Sequence, residues 1–211
     1  MLKYYMASAT SSYAGSLFDT QWESLEYVRH PDVHRLLHWC NRFHEEGLAP
    51  SYGGHSNGNL SFRVGEGNDF IITPSKKRNL NLLTAEELVR VRRVDVERKL
   101  VYATGTGNHI PSSETPVHSA IYEHLPEIKA VFHGHCEPIS RHAKSLGVPE
   151  TEKEVPYGTH ELVETVLRVI EKYYPKRRFI EMLNHGFLAL GFTMDDAGDY
   201  SLIMKNRAIA I

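Results

Sequence analysis

The stretch Ile128-Lys129-Ala130-Val131-Phe132-His133-Gly134-His135 constrains this chain more than any other. A short apolar, β-branched run of this kind reads as a buried strand, and here it ends in His-x-His. Side chains alternate faces along a strand, so His133 and His135 project to the same side, with Gly134 between them adding no bulk. Two imidazoles converging at a strand end can grip one transition-metal ion. A third imidazole and a carboxylate would complete a catalytic metal site. The fold is therefore constrained by whether two other segments reach this strand: Pro111-Ser112-Ser113-Glu114-Thr115-Pro116-Val117-His118 just before it, and Leu183-Asn184-His185-Gly186 well after it.

The rest of the chain is ordinary enough to leave that question in charge. At 211 residues, with 41% hydrophobic and 24% charged residues, it can bury a full core in one domain. A net charge of −2 without a long basic stripe gives no reason to expect nucleic acid. Cys40 and Cys136 form no CxxC pair, which points to a reducing compartment. No apolar run approaches the roughly 18 residues of a membrane span, and residues 1–20 lack the charged-then-apolar plan of a signal peptide. The expectation is a soluble, cytoplasmic protein with no nucleic-acid or membrane partner.

Residues 1–30 carry little pattern and read as an N-terminal arm, leaving 31–211 as a single domain. Val33, Leu36, Leu37, Cys40 and Phe43 recur at helical spacing after Asp32, and Gly47 fits the helix end. His34, His38 and His44 on this helix read as surface or boundary histidines. The Gly/Asn/Ser loop Ser51–Asn59 can offer backbone N–H groups to a phosphate or carboxylate, or be an ordinary turn before the strand 60–64. Strand 69–73 runs into Pro74-Ser75-Lys76-Lys77-Arg78, cations that suit an anion or a solvated turn. Thr84 and Glu87 have capping-box spacing. Segments 89–96 and 99–103 read as a hairpin, and Gly105–Asn108 is a loop without a dinucleotide signature. Ser112 or Ser113 caps a helix running to about His124, which places Glu114 and His118 four apart on one face. Helices follow at 137–146, from Thr159 to Tyr173 and from about Asp195 to near Ile211, with strands at 179–183 and 187–191 around Asn184-His185-Gly186.

Ser56-Asn57-Gly58-Asn59-Leu60-Ser61, Ile72-Thr73-Pro74-Ser75, Pro111-Ser112-Ser113-Glu114, His133-Gly134-His135 and Asn184-His185-Gly186 occur in an order that resembles the class II aldolase/adducin family. That family includes fuculose- and rhamnulose-phosphate aldolases, ribulose-phosphate 4-epimerases and methylthioribulose-phosphate dehydratases. The resemblance implies a three-layer α/β/α domain with a central, largely antiparallel sheet. It implies Zn²⁺, or another divalent transition metal, held by His133, His135 and His185. Glu114 matches the aldolases' catalytic carboxylate, and Ser56, Gly58, Asn59, Ser75, Ser112 and Ser113 would form the phosphate pocket. It further implies a homotetramer acting on a small sugar phosphate. Lys76 stands where the aldolases usually have Gly. The tyrosine they take as proton donor from a neighbouring subunit has no clear counterpart, Tyr157 being a candidate by proximity alone.

The chemistry of the residues agrees. Three neutral imidazoles leave open positions on a metal, as a catalytic site requires. A hydroxyketone phosphate could chelate the ion, which then stabilises an enediolate while Glu114 shuttles the proton. The leading expectation is retro-aldol cleavage of a ketose or deoxyketose 1-phosphate to dihydroxyacetone phosphate and an aldehyde. The alternatives are a pentulose-phosphate 4-epimerase, toward which Thr115-Pro116-Val117-His118 leans, and an adducin-like assembly module without catalysis. His118 reads equally as a partner of the site or as packing.

Overall fold

The structure, a computed structural model, describes residues 17–52, 55–75 and 79–211, the side chains of Tyr52 and His55 excepted. The first part of the arm, Gly53-Gly54 of the Ser51–Asn59 loop and the cation run Lys76-Lys77-Arg78 lie outside the described residues. In chain order the elements are β1 (Asp19–Leu25), α1 (Val33–Glu45), β2 (Ser51–Tyr52), β3 (His55–Ser56), β4 (Asn59–Arg63), β5 (Phe70–Ile72), β6 (Val89–Asp95), β7 (Leu100–Gly105), α2 (Thr115–His124), β8 (Ala130–Gly134), α3 (Glu137–His142), α4 (His160–Tyr173), β9 (Phe179–Met182), β10 (Gly186–Gly191) and α5 (Met194–Ile209). Short 3-10 turns lie between β5 and β6, the second held where the Glu87 carboxylate accepts the Thr84 N–H at 2.8 Å.

One eight-stranded sheet, in the order β1-β7-β6-β5-β4-β8-β10-β9, forms the middle layer. Its neighbours pair antiparallel except β1 and β7, which are parallel. Period-two alternation sorts its side chains into two cores. Leu60, Phe62, Ala130, Phe132, Phe179 and Phe187 face α1, α3 and α5. Phe70, Val91, Val131, Ile180, Met182, Leu188 and Leu190 face α2 and α4. The expected α/β/α layering and the largely antiparallel sheet are both present.

Helix α1 buries Val33, Leu36, Trp39, Cys40 and Phe43, with Leu37 only partly covered. It stops where Gly47 takes φ +66, so that the Gly47 and Leu48 N–H groups bond the carbonyls of His44 and Phe43. This stop delivers Leu48 to the middle of the sheet, where its carbonyl accepts the His135 N–H at 2.8 Å. A helix terminus thus fixes the residue just past β8.

Three expectations change. The arm 1–30 contains β1, whose residues alternate between exposed and half-covered; a polar edge strand carries little apolar signal, and only Trp22 packs inward. Helix α2 begins at Thr115, not at a serine cap: Ser112 and Ser113 belong to the preceding turn, closed by the Thr115 N–H on the Ser112 carbonyl at 3.0 Å, and Glu114 is the N-cap. Helix α3 ends at His142, short of Leu146, and passes into turns.

Candidate active site

The strand β8 brings His133 onto the α2 face of the sheet, with Val131, and His135 follows one residue past the strand end. His185 comes from the tight turn between β9 and β10, where Asn184 adopts φ +57, a left-handed conformation that asparagine tolerates. Because β10 pairs antiparallel with β8, that turn lies at the same sheet end as His135. The three rings gather with centroids 4.7, 5.1 and 5.5 Å apart, and one ligand nitrogen from each lies within 4.8 Å of the others. His133 is buried, whereas His135 and His185 are half-buried, so the cluster opens to one side.

Main-chain packing dictates the approach. A Cβ at residue 134 would stand 2.5 Å from Phe187 Cζ and 2.6 Å from the Leu48 carbonyl oxygen, so glycine is required by its neighbours rather than by the two histidines. Gly58, at φ +86, lets its loop run against β8, where a Cβ would meet the His133 carbonyl oxygen at 2.6 Å.

His133 Nδ1–H donates to the Phe187 carbonyl at 2.9 Å, which leaves Nε2 as the inward-facing nitrogen. That Nε2 lies 3.0 Å from His135 Nε2. Two lone pairs facing each other at this distance need a proton or a cation between them. Three imidazole nitrogens in one open cluster form a donor set suited to zinc or a similar divalent transition metal, so the residues fit such an ion.

Glu114 completes the group. Its Oε1 lies 2.7 Å from His185 Nε2 and its Oε2 3.4 Å from His133 Nε2. Burial pushes this carboxyl toward the neutral acid, but the charges of His133, His185 and His135, with the His185 hydrogen bond, outweigh it. The net result holds the group well below the ordinary carboxylate range. For His185, burial opposes the charged form and Glu114 overcomes it, raising the imidazole above its ordinary value.

The residues read as a phosphate pocket divide into two kinds. Asn59 Nδ2 donates to Glu114 Oε2 at 3.2 Å, and Ser56 Oγ donates to the Ala49 carbonyl at 2.9 Å, so both are already engaged in shaping the site. Ser75 is drawn beside the other loop: its N–H bonds the Ile110 carbonyl at 2.9 Å, and Pro74 bridges Pro111. Ser112 and Ser113 follow directly, and Gly58 lies behind His133. The loop carrying Tyr157 reaches the same region, because the Cβ position of Gly158 falls 3.2 Å from the Ser113 carbonyl oxygen.

Sequence reasoning did not find the partners that aim these groups. The Phe187 carbonyl is a backbone atom and carries no residue signature. Glu154 accepts the Asn184 amide at 2.9 Å, and Thr151 Oγ1 accepts the Leu183 N–H at 2.9 Å, so the loop before α4 steadies the His185 turn. The short Asn-His-Gly interval between two strands is the one signal that could have predicted a left-handed asparagine there.

The profile of the family described as class II aldolase and adducin N-terminal domain matches residues 34–209. An L-fuculose phosphate aldolase of Methanococcus maripaludis is 33% identical over 159 residues, 67% of this chain and 77% of that one. A probable L-ribulose-5-phosphate 4-epimerase of Mycoplasma pneumoniae is 34% identical over 90 residues, 42% of this chain; the match spans only 34% of that relative's length. Among solved structures, an L-fuculose 1-phosphate aldolase superposes with a TM-score of 0.65, covering 87% of this chain and 88% of that one. At 21% identity that likeness is one of fold.

Proposed function

The chain belongs to the class II aldolase/adducin family, and on that premise we propose that it is a divalent-metal-dependent aldolase. Its reaction is retro-aldol cleavage of a ketose or deoxyketose 1-phosphate to dihydroxyacetone phosphate and an aldehyde. The observation that carries this reading is the convergence of His133, His135 and His185 with a buried, ionised Glu114 in contact with two of them. Zn²⁺ or a similar ion held by the three histidines supplies Lewis acidity for the negative charge that develops on a substrate oxygen.

The protein's own groups then divide the work. Glu114, ionised in its resting state, accepts and returns the proton that must leave for the carbon–carbon bond to break or form. Asn59 keeps one carboxylate oxygen aimed while the other remains beside His185. Ser75, Ser112, Ser113 and the Gly58 backbone hold the phosphate, with Ser56 and Asn59 shaping that pocket. The same reading takes the protein as a cytoplasmic homotetramer. No helix among the described residues is long and apolar enough to cross a membrane.

A pentulose 5-phosphate 4-epimerase is the second reading, favoured by the Mycoplasma pneumoniae relative and by Thr115-Pro116-Val117-His118. It uses the same bond cleavage, but the phosphate then sits on the opposite fragment. One experiment separates these: metal analysis of the purified protein, with proton NMR of dihydroxyacetone phosphate in D₂O. Bound metal with deuterium entering the carbon next to the carbonyl supports the aldolase. Metal without exchange, but with epimerisation of a pentulose 5-phosphate, overturns it for the second reading. Failure to bind metal after reconstitution would leave an adducin-like assembly module.

A further inference from the structure

Behind Glu114 runs a line of buried polar side chains that, beyond Asn59, none of these steps uses. Asn59, Ser61 and Arg63 occupy alternate positions on β4, the face turned toward α2, while Leu60 and Phe62 between them enter the other core. Glu114, His118 and Tyr122 stand at four-residue spacing from the N-cap of α2 to near its end. The two sets meet residue for residue. Asn59 Nδ2 reaches Glu114 at 3.2 Å. Ser61 Oγ lies 2.7 Å from His118 Nδ1 and 2.8 Å from the Tyr122 hydroxyl. Arg63 Nη2 donates to the carbonyls of Tyr122 at 2.5 Å and Leu125 at 3.0 Å, closing the C-terminal end of the helix.

The match is geometric. Two residues of strand advance about 6.6 Å and four residues of helix about 6 Å, so rungs placed at i, i+2 on one and i, i+4 on the other stay in step. Sliding α2 by one residue, about 1.5 Å, would open every rung at once. Ser61, His118 and Tyr122 are fully buried, so water cannot replace a lost rung. Burial pushes the Tyr122 phenol far above its ordinary value and keeps it protonated. Ser61 Oγ therefore serves the phenol and the imidazole together, as a hydroxyl that can donate one bond while accepting another.

Glu114 needs such a device. It precedes the helix proper as N-cap, and its N–H makes only a 3.4 Å contact with the Ser112 hydroxyl. Its carboxylate is placed by wherever α2 sits along β4.

We propose that Ser61 and His118 are positioning residues that lock α2 to β4 and thereby hold the Glu114 carboxylate against the histidine cluster. Neither is a catalytic residue. The inference rests on the reading of Glu114 as the proton-moving group.

The test is a double-mutant cycle between His118→Phe and Glu114→Gln, read in two ways: deuterium exchange into dihydroxyacetone phosphate, and the Zn²⁺ dissociation constant by chelator competition. In the wild-type background His118→Phe should slow exchange by at least about tenfold and weaken Zn²⁺ binding measurably, since a misplacement of about 1 Å is costly. In the Glu114→Gln background it should change either quantity by less than about twofold, because the group it positions is already silenced. His118→Asn, which keeps an acceptor near the Nδ1 position, should recover exchange and Zn²⁺ affinity in large part. Equal losses in both backgrounds would mean a general structural role and overturn the proposal, as would no change in either quantity with Glu114 intact. Should His118→Phe not fold, Ser61→Ala runs through the same cycle. Absence of exchange in the wild-type protein would count against the aldolase reading alone. The Zn²⁺ constants would still decide whether His118 acts through Glu114.

Discussion

Glu114 and Glu181 are both buried, 4% and 2% exposed, and they face opposite layers of the same sheet. Glu114 caps α2 on one side. Glu181 lies on β9 between Ile180 and Met182, turned to the α3 side, with Phe187 as its cross-strand neighbour. Burial pushes both carboxyls toward the neutral acid, yet they end in opposite states. Glu114 is held well below the ordinary range because imidazoles approach it directly. Glu181 is pushed up to about 7, chiefly by burial, with the nearby Ser140 hydroxyl pulling it down, Glu150 adding to the rise and His185 opposing it. Burial sets the size of the stake and the cations within reach decide its sign. The carboxyl in contact with the histidine cluster stays ionised; the one without imidazoles in contact is a titratable weakness in the core.

The strongest way to break this contrast is to remove the imidazoles. His133→Ala and His135→Ala should each abolish stoichiometric metal in the purified protein, as measured by elemental analysis after reconstitution. Full occupancy in both variants would dismantle the metal-site assignment. Next in size is Glu114→Gln, which keeps shape but cannot carry the proton. Zinc should remain while exchange of the dihydroxyacetone phosphate proton falls by about 10²–10⁴-fold, the usual worth of a general base. Exchange at the wild-type rate would remove Glu114 from the chemistry.

How much of this contrast the sequence carries is uneven. His133, His135, His185 and Glu114 are legible because each stands in a short motif, and motif order is independent of how the chain packs. The α/β/α layering is legible through the family resemblance, whereas the apolar faces of the helices at 33–45 and 160–173 give only the helices themselves. Glu181 is different. A single Glu within Phe-Ile-Glu-Met sits where a half-exposed strand would place its solvent side, and nothing local says that α3 covers it. Ser61 and Arg63 on β4 deceive in the same way: their alternation suggests a wet face, whereas α2 makes it a buried polar seam. Gly134 is legible as a glycine but for the wrong reason, since the crowding atoms belong to Phe187 and Leu48. Contacts between distant segments decide each of these cases.

Glu181 gives the third test. Its folded value of about 7 exceeds an ordinary 4.5, so the native state binds more protons than the unfolded chain between those pH values. Stability should therefore be fully supported below about pH 4.5 and decline as pH rises toward 7, by about 3 kcal/mol from this group. Glu181→Gln removes the titration. Urea unfolding of the metal-free protein should show the variant gaining on the wild type as pH rises from 5 to 8. Parallel pH profiles would show that Glu181 is ionised at little cost, and the contrast with Glu114 would disappear.

The smallest effect is expected at Asn184, which sets where His185 stands between the two glutamates. Its left-handed backbone, φ +57, is easy for asparagine and glycine and costs alanine about 1 kcal/mol. Its side chain also donates to Glu154 at 2.9 Å, an exposed bond of small worth. Asn184→Gly keeps the conformation and loses only that bond, so stability should change by a few tenths of a kcal/mol, partly through the extra freedom of the unfolded glycine. Asn184→Ala loses both, and should be less stable than the glycine variant by about 1 kcal/mol in the same urea titration. Zinc affinity should follow the same order, because a turn that relaxes toward negative φ swings His185 away from its partners. If alanine and glycine prove equal, the Glu154 bond rather than the turn conformation holds His185, and the acid that matters to this imidazole beyond Glu114 lies on the loop before α4 rather than in β9.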